Sequence, residues 1–88
     1  MRGIFWEAGA WEDYLEIQTQ KPLLKRVNML IKDIQRNGYL CSYGKPERLS
    51  NDLSGLASVR IDKKHRLVFS VDSERVAITE CGGHYGDH

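Results

Sequence analysis

Residues 57–71 read Ala57-Ser58-Val59-Arg60-Ile61-Asp62-Lys63-Lys64-His65-Arg66-Leu67-Val68-Phe69-Ser70-Val71, and this stretch decides the fold class. Ala57, Val59 and Ile61 alternate with Ser58 and Arg60. After the polar break at Asp62-Lys63-Lys64, His65, Leu67, Phe69 and Val71 alternate with Arg66, Val68 and Ser70. A period of two marks a strand with one covered face. Two such runs joined by a short polar turn predict an antiparallel hairpin. Asp72-Ser73-Glu74 is a second polar turn, Arg75 to Cys81 supplies a final strand, and Gly82-Gly83 then releases the chain before His84. This half is expected to be an antiparallel meander.

Upstream the period lengthens. Ile4-Phe5-Trp6 reads as a short first strand. Trp11, Tyr14 and Leu15 then recur at helical spacing, with Glu12, Asp13 and Glu16 on the other side. Thr19-Gln20-Lys21-Pro22 breaks and restarts the helix, since proline is tolerated in a first turn and not in an interior. In the second helix Leu23, Val27, Leu30, Ile31 and Ile34 form one apolar stripe, while Lys25, Arg26, Lys32 and Arg36 face out. Asn37-Gly38 ends it, and residues 39–46 form a loop punctuated by Gly44 and Pro46. The expected fold class is α+β: two N-terminal helices packed on a small, mainly antiparallel twisted sheet.

The 88 residues, 41% hydrophobic and 28% charged, suit one globular domain spanning residues 1–88. Ile4-Phe5-Trp6 is far too short for a membrane span or a signal peptide, which leaves the cytoplasm as the expected compartment. Cys41 and Cys81 lie 40 residues apart without metal-ligand spacing, so they read as reduced structural thiols and no metal site is expected. A net charge of +1 argues against strong indiscriminate binding to nucleic acid. The charge is uneven, however. Between residues 45 and 66 six cations face three acids, whereas from residue 72 onward Asp72, Glu74, Glu80 and Asp87 outnumber Arg75. That pattern fits a local phosphate site, or simply a solvated surface.

Alternation places Arg60 opposite in face to Val59 and Ile61, and Arg66 opposite in face to Leu67. Both guanidinium groups should reach the sheet face away from the helices, with Arg48 expected to join them. Arginine is permanently charged and offers a phosphate two parallel donors, so two on one surface make a phosphodiester clamp or a merely solvated sheet face. Glu47, after Pro46 at a strand start, is either a general base or a surface carboxylate paired with Lys45 or Arg48. His84 is either a general acid or an exposed residue near the chain end. Tyr85 would position substrate or cover the sheet edge. His65 competes with His84, but beside Arg66 it should point to the helix-packed face. Trp6, Trp11 and Tyr14 read as core rather than as a platform for RNA bases.

Several stretches taken together resemble a known family: Trp11-Glu12-Asp13-Tyr14-Leu15, Asn28-Met29-Leu30-Ile31-Lys32-Asp33-Ile34, Gly44-Lys45-Pro46-Glu47-Arg48-Leu49, Asn51-Asp52-Leu53-Ser54-Gly55, Lys64-His65-Arg66-Leu67-Val68-Phe69 and His84-Tyr85. Their order and spacing resemble the YoeB-like toxins of the RelE/ParE superfamily, over about residues 4 to 85. The resemblance implies a RelE-like microbial ribonuclease fold and an mRNA endonuclease acting in the ribosomal A site. It implies Glu47 as general base, His84 as general acid, Arg66 and Arg60 on the scissile phosphate, Tyr85 positioning substrate, and Lys45 and Arg48 binding RNA. The implied reaction is attack by a ribose 2′-oxygen on the adjacent phosphate, with no cofactor and no metal. The implied partners are mRNA on the ribosome and a YefM/Phd-type antitoxin, in a homodimer or in a toxin–antitoxin hetero-oligomer that binds operator DNA through the antitoxin.

Some auxiliary cations of that pattern are missing. Ser50 stands where many relatives carry lysine, Val59 falls in a segment that tends to carry a further arginine, Gly82 replaces an arginine or lysine, and Gly86-Asp87-His88 extends past the tyrosine. Cleavage is therefore expected to lean on the ribosome to present the mRNA. The alternatives are a ParE-like inhibitor of a protein target, which cuts nothing, and a decayed module that binds RNA or ribosomes without catalysis.

Overall fold

The computed structural model describes residues 1–49 and 55–84, the last two through their backbone alone. In chain order the elements are β1 (Gly3–Trp6), α1 (Ala8–Glu16), α2 (Lys21–Asn37), a 3₁₀ turn (Gly38–Leu40), β2 (Glu47–Arg48), β3 (Ala57–Arg60), β4 (His65–Val71) and β5 (Arg75–His84). The strands form one sheet in the order β1-β5-β4-β3-β2. β3 to β5 are the antiparallel meander read from the alternation, β2 adds to it antiparallel to β3, and β1 runs parallel to β5 at the far edge. Both helices bury residues in a single core against one sheet face, the α+β arrangement expected.

The stripe on α2 behaves as its spacing requires. Val27, Leu30, Ile31 and Ile34 are buried, Pro22 sits in the first turn, and Gly38 closes the helix with φ of 58°. Arg26 departs from its expected outward role: its Nε donates to the Ile61 carbonyl and ties α2 to the end of β3. On α1 the buried face is rotated from the expected Trp11–Tyr14–Leu15 stripe. Ala10 and Ile17 are buried, whereas Trp11 is 44% and Leu15 50% exposed. α1 packs directly on β5, and the small side chain of Ala10 suits that close approach. Trp6 and Tyr14 pack against the core as expected, and Trp11 only flanks them, its ring centroid 5.7 Å from Trp6 and 5.9 Å from Tyr14.

β5 corrects the expectation that Gly82-Gly83 releases the chain, because pairing with β4 continues to His84. Two bulges make this possible. Phe69 opposes Ile78 while Val68 opposes Glu80, so Thr79 is the extra residue of the first; Leu67 opposes Cys81 while Arg66 opposes Gly83, so Gly82 is the extra residue of the second. The first bulge resets the alternation, sending Cys81 rather than Glu80 into the core after Val76 and Ile78. The second needs φ of 84° at Gly82, open to glycine at little steric cost. Cys41 and Cys81 are free, buried thiols, and burial pushes them up to about 11 and about 12.

Candidate active site on the open face of the sheet

Val59 and Leu67 oppose each other across β3 and β4 and are fully buried beneath the helices. Their neighbours Ser58, Arg60 and Arg66 consequently belong to the other face. Register then assembles the site: Glu47 lies opposite Ser58, and Arg60 lies opposite Arg66. The Arg66 guanidinium donates to Ser58 Oγ twice, from Nε at 3.1 Å and from Nη2 at 2.7 Å. Nη2 also donates to Glu47 Oε2 at 3.2 Å. The Arg66 side chain is 17% exposed and that of Glu47 is 67% exposed, so a well-held cation meets a largely solvated carboxylate. Like charges placed directly opposite across a strand pair are unfavourable by themselves. The Arg60–Arg66 register is therefore best satisfied by an anion, a role Glu47 fills in part here and a phosphate could fill through paired donors.

Two backbone devices place Glu47. Gly44, with φ of 75°, accepts from the Arg60 N–H at 2.7 Å, and a Cβ there would meet the Arg60 carbonyl at 2.8 Å. Only glycine lets the loop lie this close to β3. The start of the same loop is held by Asp33 on α2. Its Oδ2 accepts from the Ser42 N–H at 2.9 Å and the Tyr43 N–H at 3.0 Å, and its Oδ1 accepts from Asn37 Nδ2 at 2.7 Å. Burial alone would raise the Asp33 pKa. The bonds from Tyr43, Asn37 and Ser42 together outweigh it, and the carboxyl is held below its usual range. Periodicity gives Asp33 no role. The available signal was an acidic residue within the apolar stripe of α2, one helical turn before Asn37.

The other expected site residues divide. Arg48 does not join the arginines: it pairs with Ala57 on the core side, and its guanidinium lies 4.0 Å from the centre of the Tyr39 ring. Lys45 is exposed in the loop with φ of 52°. His65 points toward the helices as expected, near Asp13, Glu16 and Cys81. Its Nδ1 lies 2.9 Å from both Asp62 oxygens, and Asp62 Oδ1 also accepts from the Lys64 and His65 N–H groups in the β3–β4 turn. The backbone of His84 pairs with His65, next to the Gly83–Arg66 pair. The side chain of His84, and Tyr85, Ser50, the Asn51-to-Ser54 segment and the Gly86-Asp87-His88 extension, lie outside what is described. A cavity of about 780 Å³ lies along the cationic side of α2 by Lys21, Lys25, Lys32 and Arg36; Asp33, Ser42 and Tyr43 line it, whereas Glu47, Ser58, Arg60 and Arg66 do not.

The family model of the YoeB-like toxin of bacterial type II toxin–antitoxin systems matches residues 6–85. The chain belongs to this family. Toxin YoeB of Escherichia coli K12 is 42% identical over 83 residues, covering 93% of this chain and 98% of its own length. Toxin YoeB of Streptomyces coelicolor is 42% identical over 86 residues, covering 97% of this chain and all of its own. Among solved structures, the YoeB dimer of Staphylococcus aureus superposes with a TM-score of 0.87 at 42% identity, covering 96% of this chain and 98% of that one. YoeB from the heterotetrameric YoeB–YefM complex of the same organism gives 0.85, again at 42% identity, covering 97% and 99%. The Escherichia coli DinJ–YafQ toxin–antitoxin complex, at 14% identity and a TM-score of 0.78, shares the fold.

Proposed function

We propose that this YoeB-like toxin is a metal-independent endoribonuclease that cleaves mRNA in the ribosomal A site and so inhibits translation. The observation that carries the reading is the 3.2 Å contact between Glu47 and Arg66 on the face where Arg60 also sits. It sets a solvent-exposed carboxylate beside the cation suited to a phosphate, the arrangement a 2′-hydroxyl attack needs. In this mechanism Glu47 takes the proton of the ribose 2′-hydroxyl. The 2′-oxygen then forms a bond to phosphorus as the bond from phosphorus to the 5′-oxygen breaks. Arg66 and Arg60 stabilise the charge gathering on the non-bridging oxygens. His84 gives its proton to the departing 5′-oxygen and Tyr85 steadies the substrate. The products carry a 2′,3′-cyclic phosphate and a 5′-hydroxyl.

The same proposal takes residues 1–88 as one domain acting in the cytoplasm. No described helix is long and apolar enough to cross a membrane. By likeness to the Staphylococcus aureus YoeB–YefM complex and YoeB dimer, it takes a YefM-type antitoxin and a second copy of the chain as partners. An acidic antitoxin segment covering the arginines should bind in a salt-dependent way and raise the toxin's melting temperature.

Expression of the chain in bacteria, with growth and mRNA length followed together, tests the reading. Growth arrest with shortened mRNA is the expected outcome. Arrest with intact mRNA would favour a non-cleaving inhibitor of a protein target, and ribosome binding without arrest would favour a non-catalytic module.

A further inference from the structure

Ser58 is fully buried although it lies on the sheet face away from the helices, opposite Glu47. Its Oγ receives two of the five N–H donors of Arg66, from Nε and from Nη2. Two bonds from one edge of a planar fork to one fixed atom set both the position and the plane of the guanidinium. Val68, its partner on β4, is 3% exposed and opposes it on the same face, so the anchor sits in a closely packed setting. Arg66 also holds Glu47, but by a single longer bond to a carboxylate that is 67% exposed. Of these two partners, Ser58 is built in and neutral, while Glu47 is solvated and anionic.

That asymmetry has a chemical use. An acidic residue in place of Ser58 would hold Arg66 firmly but cancel the charge a phosphate requires. A serine hydroxyl holds the guanidinium and leaves its charge intact. We infer that Ser58 is the positioning residue of this site, a neutral anchor that keeps the Arg66 guanidinium in place while its anionic partner changes from the Glu47 carboxylate to the RNA phosphate. The exchange has a second consequence. The arriving phosphate displaces the Glu47 carboxylate from Nη2 while Arg66 stays on Ser58, so the carboxylate is released from its counter-ion at the moment a 2′-hydroxyl is present to be deprotonated. The inference rests on the proposed ribonuclease reading and assigns a role in it to a residue that touches no substrate atom.

The test compares Ser58→Ala, which removes the acceptor, with Ser58→Thr, which keeps the hydroxyl on a side chain suited to a strand. Single-turnover cleavage of ribosome-bound mRNA should fall about 10- to 100-fold in Ser58→Ala and stay within about threefold of wild type in Ser58→Thr. In an Arg66→Ala background, Ser58→Ala should cost nothing further, because the two act as one unit. A second readout does not depend on cleavage. The side-chain ¹H–¹⁵N signal of Arg66 Nε should be resolved and slow to exchange in wild type and Ser58→Thr, and lost by averaging in Ser58→Ala. Cleavage by Ser58→Ala at the wild-type rate, an equal loss in the Arg66→Ala background, or an unchanged Arg66 signal would overturn the anchor. A wild-type protein that cuts nothing while the Arg66 signal behaves as expected would instead sink the ribonuclease reading and leave the anchor standing.

Discussion

Asp33 and Glu47 are two carboxylates at opposite ends of one loop, and they are held in opposite ways. Asp33 is 7% exposed and, among the described residues, receives three hydrogen bonds, two of them from backbone N–H groups of the loop. Glu47 is largely in water and, among the described residues, is held by a guanidinium with another anchor of its own. A carboxylate whose oxygens are filled by fixed backbone donors cannot readily take up a proton, and it serves the fold. One held by an exchangeable guanidinium has oxygens to offer a substrate, and it suits chemistry. The two are coupled, because the loop that Asp33 starts is the loop that delivers Glu47.

The largest effect expected from this contrast is on catalysis. Glu47→Gln and Arg66→Ala should each lower mRNA cleavage by about 10² to 10⁴-fold. Glu47→Gln should leave the melting temperature almost unchanged, since an exposed ion pair contributes about 1 kcal/mol or less. Full cleavage by Glu47→Gln would remove the contrast altogether.

Asp33→Ala should do the reverse. It strips the acceptors from the Ser42 and Tyr43 N–H groups and from Asn37, a cost of about 2–3 kcal/mol. In a chain of this length that lowers the melting temperature by roughly 10 °C or more. Cleavage per folded molecule should survive within about tenfold. A variant as stable as wild type would mean that the loop is held by something other than Asp33.

Gly44→Ala sharpens the link between the two ends. The added Cβ meets the Arg60 carbonyl at 2.8 Å with φ at 75°, so the loop must shift, at a cost of about 1–3 kcal/mol. Because Glu47 rides on that loop, cleavage should fall together with stability. Loss of stability without loss of cleavage, after correction for the folded fraction, would separate the loop from the site.

The smallest expected effect is in acid. The Asp33 pKa is lowered in the folded protein, so its contribution is present above the unfolded carboxylate pKa and is lost as pH falls through the folded value. Asp62 and Asp72 are shifted the same way, Asp62 because bonds from the His65 side chain and from the Lys64 and His65 N–H groups outweigh its burial, Asp72 through the Glu74 and Arg75 N–H groups. Urea titrations from pH 7 down to pH 3 should show wild type losing more stability than Asp33→Asn. Parallel curves would assign the acid sensitivity elsewhere.

Much of this was legible in the sequence because it depends on period. The β3–β4 alternation placed Arg60, Arg66 and Ser58 on one face and Val59 and Leu67 on the other. The apolar stripe and Asn37-Gly38 defined α2, and the position beside Arg66 turned His65 toward the helices. What could not be read depends on tertiary events that break a period. Bulges at Thr79 and Gly82 carry β5 on to His84, and a close helix–strand approach at Ala10 rotates Trp11 outward. The register of β2, set by its pairing with β3, puts Arg48 on the core side over Tyr39 rather than beside Arg66. Asp33 was hidden for a related reason: the loop N–H groups it holds lie nine and ten residues later and share no repeat with it.

The central claim is that Glu47 acts as the base in a transesterification, and the chemistry of the cut ends tests it most directly. Purified toxin and its Glu47→Gln variant, each mixed with ribosomes paused on a defined mRNA, should be compared by the 3′ ends they leave. Wild type is predicted to leave a 2′,3′-cyclic phosphate, and the variant almost no cut product over the same time. A wild-type product ending in a 3′-hydroxyl, or a Glu47→Gln variant yielding cyclic phosphate at the wild-type rate, would contradict it.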